Sequence, residues 1–280
     1  MNRIERNTRL PLALLMAPLV LFLLVFYALP LFSMLSRSVV SEQGPTFTVF
    51  ANLFVDSAFW RVLGISATVG LVTTVLCLLL AYPLAYFMAR LEQGTANVLF
   101  VLVLVPFWTS ILVRTYAWMV LLGRRGLIND ALIGLGAIER PLQLLNSRSA
   151  VYIAMVHVLL PFMVLPLYSA LRSLDWRLVM AARSLGAGSA TTFLKIILPL
   201  SMPGVATGCL LVFTLAIGFY ITPALLGGPN DMMISMLIET KIRQFDWPTA
   251  AAMAVVLLAC VLAVVALFAR FVSINAVVRR

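Results

Sequence analysis

The chain contains six long stretches without a charged side chain, and these stretches determine whether it can fold in water or needs a lipid bilayer. The shortest is 21 residues long, and they cover residues 10–36, 62–89, 93–113, 149–171, 196–230 and 247–269. A helix needs about 20 apolar residues to cross the hydrocarbon core of a bilayer. At 63% hydrophobic and 11% charged residues, the chain carries more apolar surface than a soluble domain of about 45–50% apolar composition can hide. We therefore predict an all-α membrane protein with six transmembrane helices.

The first stretch follows three arginines and has the outline of a signal peptide. Its apolar part is longer than a signal needs and lacks an evident A-x-A cleavage site, so we expect a retained first span. The expected division of the chain is a first helix and outer loop at 1–61, a core domain at 62–272 with an inner loop at 173–198, and a tail at 273–280.

The distribution of charge predicts the orientation. If the N-terminus lies inside, eleven basic and only three acidic residues fall on the inner side, and the other seven acids fall outside. An excess of Lys and Arg marks the cytoplasmic loops of membrane proteins. We therefore expect both termini and the 173–198 loop in the cytoplasm. The net charge of +10 fits basic flanks on anionic lipid far better than a nucleic-acid partner.

Several kinds of chemistry are absent from the sequence. Lys195 and Lys241 are the only lysines and neither follows a glycine, so the chain has no phosphate-binding G-x-x-x-x-G-K-[ST] loop. No acid falls inside the six apolar stretches, although a proton- or sodium-coupled transporter usually needs one there. The single histidine, His157, is predicted to be packed and hydrogen-bonded rather than a proton relay. The three cysteines are scattered and indicate no disulfide or metal site.

Residues 175–199 carry the strongest local signal. Asp175 suits a helix N-cap and Gly186 a helix stop. Leu178, Ala181 and Ala182, followed by Leu185, recur at helical spacing on one face, and the two alanines make that face shallow. A helix–turn–helix between two spans predicts a docking element.

This segment resembles the cytoplasmic coupling motif of binding-protein-dependent ABC importer permeases, E-A-A-x-x-x-G-x9-I-x-L-P. The positions that match at that spacing are Ala181, Ala182, Gly186, Ile196, Leu198 and Pro199. Met180 stands where the family usually has Glu, which removes one charged contact to the ATPase. By this resemblance, the ATPase-coupling residues are these seven together with Asp175 and Phe193.

Three further segments resemble the spermidine/putrescine branch of these permeases: PFWTSILVRTYAW (106–118), LLPFMVLPLYSALRSLDW (159–176) and GFYITPALLGGPND (218–231). The branch also serves opines and phosphonate-type solutes, so those remain alternatives to a polyamine. An ion-coupled secondary transporter is the less favoured class.

The resemblance implies a type I ABC importer permease fold in the bacterial cytoplasmic (inner) membrane and a set of partners. They are a second permease subunit, as a heterodimer, two ATPase subunits that bind ATP and Mg²⁺, and a periplasmic or lipid-tethered solute-binding protein. The chain itself would carry no cofactor, and membrane lipid would surround it.

Candidates for the substrate pathway are polar or aromatic residues of spans three and five, since aromatic faces attract cations. They are Trp108, Arg114, Tyr116, Trp118, Tyr220 and Thr222. Each could instead belong to an interfacial belt or to packing, and Arg114 could extend to the membrane surface. The pair Gly204 and Gly208 predicts a close helix contact, either within the chain or with a second permease.

Overall fold

The computed structural model describes residues 15–41 and 44–278, and these residues are almost entirely helical. A two-residue antiparallel pairing joins β1 (Val40–Ser41) to β2 (Gly44–Pro45). The helices are α1 (Leu15–Ser36), α2 (Thr48–Val55), α3 (Ser57–Arg90), α4 (Gln93–Leu104), α5 (Ile111–Leu122), α6 (Leu127–Gly134), α7 (Arg148–Arg172), α8 (Trp176–Ser184), α9 (Ser189–Ile217), α10 (Ile221–Leu226), α11 (Ile234–Arg243) and α12 (Trp247–Val278).

The predicted membrane spans are present, and one of them is broken. By length and hydropathy, α1, α3, α7, α9 and the 247–270 part of α12 can each cross a bilayer. The sixth candidate joins Gln93–Trp108 to Ile111–Gly134, which are bent by 93°. Three shorter helices lie in the loops between these spans: α2 within 37–61, α6 within 123–148 and α11 within 231–246.

The third apolar stretch, 93–113, is not one straight helix as its continuity suggests. Pro106 lies in a tight 3₁₀ turn, Val105–Trp108, and the backbone at Thr109 is then extended. The Thr109 hydroxyl donates to the Pro106 carbonyl at 2.8 Å, and the guanidinium of Arg114 donates to the Thr109 carbonyl at 3.1 Å. These bonds satisfy backbone groups that the break leaves without helical partners.

The fifth stretch, 196–230, is longer than the helix inside it. Helix α9 begins at Ser189 and ends at Ile217, and a separate short helix, α10, follows. Residues 227–233 are non-helical. The excess length of this stretch therefore comes from a second helix at its end.

The described residues form two compact units, which lie within Met1–Ser57 with Ile238–Ala259 and within Ala58–Leu237 with Cys260–Arg280. Within the first unit, the Arg37 guanidinium lies 5.9 Å from the centre of the Trp247 ring. The second unit contains the main core, built from small and apolar side chains of α3, α7 and α9. Every candidate functional residue belongs to this second unit.

Gly204 and Gly208 of α9 lie against α7 of the same chain. The close helix contact predicted for this pair is therefore made within the chain. A Cβ at Gly204 would stand 2.5 Å from the Ala170 Cβ and 2.8 Å from the Pro166 carbonyl oxygen. A Cβ at Gly208 would stand 2.6 Å from the Met163 sulfur. Close approach of two helices requires such small residues at the crossing.

Candidate functional site

Helix α8 has fixed ends. The Asp175 carboxylate accepts a hydrogen bond from the Arg177 backbone N–H at 3.0 Å, which caps the first turn. At the other end Gly186 has φ +85°, and its N–H donates to the Arg183 carbonyl at 3.0 Å. The N–H of Ala187 donates to the Ala182 carbonyl at 3.0 Å, which completes a Schellman stop. Both ends of the predicted docking helix are thus set by its own sequence.

One face of α8 packs onto the helical bundle. Val179 is buried, and the Trp176 ring lies 6.2 Å from the ring of Tyr86 on α3. The Arg90 guanidinium stands 4.1 Å from the Tyr86 ring centre and 5.2 Å from that of Trp176. A cation between two aromatic faces joins α8 to the end of α3.

The opposite face is open to solvent. Leu185 is 89% exposed and Met180 60% exposed, and Leu178 and Ala181 are also exposed, while Ala182 is half-buried. The side chains to which the motif resemblance assigns an ATPase contact thus form a shallow apolar surface. An exposed apolar patch of this kind marks an interaction site.

Arg172, the last residue of α7, was not singled out by the sequence, yet it binds three groups at and just beyond the end of α3. Its guanidinium donates to the carbonyls of Ala89 at 3.1 Å and Leu91 at 2.9 Å, and to the Gln93 side-chain oxygen at 2.7 Å. These carbonyls lie at a helix C-terminus and lack helical donors. The one sequence signal that indicates a role for Arg172 is its position directly after the apolar stretch 149–171.

The second half of the motif faces inward. Phe193 lies edge-on to Tyr82 and Tyr86, with ring centres 5.6 Å and 6.1 Å apart. Ile196 also packs against the core, and Leu198 and Pro199 are half-buried where α9 continues beyond a π-helical turn, Phe193–Ile197. The motif therefore contains an exposed helix and an inward-packed segment that leads directly into a span.

The six candidate pathway residues fall into exposed and packed groups. Trp108 is 71% exposed and Tyr116 55% exposed. The Trp118 indole N–H donates to Nδ1 of His157 at 3.2 Å, so this histidine is hydrogen-bonded as expected. Thr222 is fully buried, and its hydroxyl lies 3.4 Å from that of Thr115.

Arg114 and Tyr220 are both half-buried. Arg114 bonds the Thr109 carbonyl through one terminal nitrogen, whereas its buried Nε has no hydrogen-bond partner among the described residues. Tyr220 precedes the first turn of α10, whose neighbour is α5. Arg114, Tyr116 and Trp118 therefore lie on α5, whereas Tyr220 and Thr222 lie at the start of α10, which packs against α5.

The other end of α7 carries a second polar cluster. The Arg148 Nε donates to an Asp231 carboxylate oxygen at 2.8 Å, with side chains 42% and 10% exposed. The other carboxylate oxygen accepts the Gly228 N–H at 3.1 Å. A Cβ at Gly228 would stand 2.6 Å from the Asn146 carbonyl oxygen, so this position needs glycine. The GGPND segment is thereby fastened to the start of α7.

Metal binding has no candidate site in residues 15–41 and 44–278. This part of the chain contains no group of three or more His, Cys, Asp or Glu side chains placed to hold an ion.

The chain is similar to known membrane transport proteins. A family model described as the binding-protein-dependent transport system inner membrane component matches residues 81–276. The spermidine/putrescine transport system permease protein PotB of Salmonella typhimurium is 40% identical over 228 residues, which cover 80% of this chain and 79% of that relative. PotB of Escherichia coli is 38% identical over 243 residues, 84% and 88% of the two chains.

Among solved structures, a chain of a bacterial alginate ABC transporter in complex with an alginate pentasaccharide-bound periplasmic protein has the same fold. Its TM-score is 0.76 at 20% identity, and the match covers 95% of this chain and 94% of that chain. The likeness thus extends over nearly the whole length of both chains.

Proposed function

Because this chain belongs to the family of binding-protein-dependent transport system inner membrane components, we propose that it imports a polyamine, such as spermidine or putrescine, with energy from a separate ATPase. It is a multi-pass permease subunit of the inner membrane and a transport component, with ATP hydrolysis assigned to its partners. The similarity to spermidine/putrescine permeases supports the choice of solute, and the exposed face of α8 supports the dependence on a separate ATPase.

The proposed mechanism starts at that face. An ATPase subunit docks on the shallow surface around Ala181 and Ala182, where small side chains allow close approach. Motion of the ATPase pair then displaces α8 as a unit, since Asp175 and Gly186 fix its ends. Trp176 passes the displacement to Tyr86 at the end of α3, and Tyr86 passes it to Phe193 of α9. The result is alternating access of the path between the two sides of the membrane.

The second permease subunit is proposed as a different chain, so that the pore is a heterodimer, and two ATPase subunits serve the pair. A periplasmic or lipid-tethered binding protein delivers the solute. In this arrangement the accessible aromatic faces of the path are Trp108 and Tyr116, whereas the buried Thr222 fastens α10 to α5.

The substrate is tested with the cognate binding protein. We expect calorimetry on the purified protein to give tight binding of spermidine or putrescine, and none of an opine or a phosphonate. Tight binding of another solute would leave the importer mechanism intact and reject the polyamine.

The docking surface is tested by Ala182→Arg. A long cation on the shallow face holds the ATPase away, so uptake by the assembled transporter should fall to background while the chain inserts normally. The same change at the exposed Ala137, outside the docking segment, is the matched control. Wild-type uptake with Arg at position 182 would reject α8 as the coupling helix.

A further inference from the structure

A solvent-open cavity of about 330 Å³ lies at the base of α8, outside the proposed docking face and the proposed path. It is lined by Ala89, Arg90, Arg172 and Trp176, which come from the ends of α3 and α7 and the start of α8. Its volume lies within the range of about 300–1,000 Å³ that is usual for small-ligand sites. Two guanidinium groups therefore share one small space.

Both guanidinium groups are held in place. Three acceptors fix that of Arg172, at 2.7–3.1 Å. The guanidinium of Arg90 is placed by the rings of Tyr86 and Trp176 and by a hydrogen bond that it donates to the Tyr86 hydroxyl. A planar guanidinium that is already ordered loses less entropy when it binds an oxyanion through two N–H groups.

Among the described residues, no carboxylate lies within ion-pair distance of these two guanidinium groups. The nearest acids along the chain are Glu92 and Asp175, and Asp175 directs a carboxylate oxygen to the first turn of α8. The cavity thus carries two formal positive charges, and its hydrogen-bond acceptors are neutral carbonyl, amide and hydroxyl oxygens.

The position of Arg90 along α3 places the cavity at the depth of lipid headgroups. Arg61 and Arg90 bound the uncharged part of this helix, and their separation of 29 residues spans about 43 Å at 1.5 Å per residue. A bilayer including its headgroups is about 40–45 Å thick. Basic pockets between transmembrane helices at this depth bind anionic lipid headgroups.

We propose that the cavity lined by Arg90 and Arg172 binds a phosphate group, which an anionic phospholipid headgroup or free inorganic phosphate could supply. Its location against Trp176 makes the occupant a neighbour of the coupling helix. Binding there stiffens the joint between α3, α7 and α8 without contact with the transported solute.

The test uses the full chain, purified in detergent and titrated separately with phosphatidylglycerol, phosphatidylcholine and inorganic phosphate. Bound lipid is counted by native mass spectrometry, and phosphate binding is followed by the thermal unfolding midpoint. A phosphatidylglycerol response stronger than that of phosphatidylcholine identifies a lipid headgroup, and a response to phosphate alone identifies the free ion. Either response supports the proposal if the Arg90→Gln substitution weakens the affinity for that ligand about tenfold or more.

The matched control is Arg177→Gln, which removes an exposed arginine from α8 outside the cavity. Equal binding by wild type and Arg90→Gln would overturn the proposal, as would an equal loss in the control. If Arg90→Gln fails to fold, Arg90→Lys replaces it, because lysine keeps the positive charge but cannot donate two parallel hydrogen bonds to one phosphate. Undiminished binding by Arg90→Lys would also overturn the proposal. Loss of ATPase assembly with lipid and phosphate binding unchanged would show that Arg90 faces a protein carboxylate instead.

Discussion

Gly186 shows how one residue sets the geometry of the proposed coupling helix. Its φ of +85° lies in the left-handed region, where a side chain is strained. The N–H groups of Gly186 and Ala187 close the helix end only in this conformation. The direction in which the chain leaves α8 toward α9 is thus decided by a glycine.

We predict that Gly186→Val disrupts this stop at a cost of about 1–2 kcal/mol or more, because a β-branched residue resists positive φ. Solute-stimulated ATP hydrolysis by the assembled transporter should fall strongly, while the amount of chain in the membrane stays normal. Gly188→Ala is the control, since Gly188 has φ −65° and open space around it. Unchanged hydrolysis in Gly186→Val would contradict the role given to this turn.

Arg148 and Asp231 form an ion pair in which the carboxylate is the more buried partner. Removing the arginine leaves a nearly buried charge without its main counter-charge, which is costly. We predict that Arg148→Met lowers the free energy of unfolding by about 1–3 kcal/mol, and that adding Asp231→Asn recovers part of the loss. Chemical denaturation of the variants in detergent measures both effects.

Arg140→Met is the reference for that measurement, because Arg140 is exposed and forms no ion pair within residues 15–41 and 44–278. An equal loss of stability in this variant would mean that the pair contributes nothing specific.

At the scale of helices, the contact between α7 and α9 holds the core of the second unit together. Gly204 and Gly208 let the two backbones approach, and the Tyr82 hydroxyl on α3 lies 2.9 Å from the Ser201 hydroxyl on α9. Small residues at such a crossing allow close van der Waals packing, which drives helix association in lipid. The contact lies directly after the coupling segment, so movement of α9 also moves α7.

We predict that Gly204→Val forces these helices apart, since a Cβ there already meets the Pro166 carbonyl oxygen and Ala170. Overpacking of this kind costs about 1–3 kcal/mol, so the midpoint of thermal unfolding should fall. The same substitution at Gly64, an exposed helical position with nothing within 4 Å of a Cβ, should leave the midpoint nearly unchanged. Equal midpoints for the two variants would refute the contact.

At the scale of the whole molecule, orientation in the membrane rests on the charge bias alone. Helix α8 and the 123–147 segment lie near opposite ends of α7 in the chain, so the proposal requires them on opposite sides of the bilayer. An importer driven by a cytoplasmic ATPase needs α8 inside.

We predict that a cysteine in place of the exposed Ser184 reacts with a membrane-impermeant maleimide only after the cells are opened. A cysteine in place of the exposed Ala137 should react in intact cells. The unmodified chain, whose three cysteines lie in spans, measures the background. The reverse pattern would invert the topology and exclude α8 as an ATPase contact.

The sequence predicted the features that depend on short-range order. Uninterrupted apolar stretches located the spans, because lipid admits backbone only as satisfied helix or closed barrel. The cap at Asp175 and the stop at Gly186 followed from side-chain type and spacing, since both depend on residues no more than five apart.

Tertiary structure alone decided what depends on residues far apart in the chain. The third span is bent at Thr109, Arg172 donates hydrogen bonds to the end of α3, and the glycines of α9 lie against α7. Hydropathy does not predict these outcomes, because it sums the transfer of side chains into lipid and has the same value for a straight and a bent helix of one sequence. The choice is made by hydrogen bonds and close contacts between helices, and those exist only once the helices have packed.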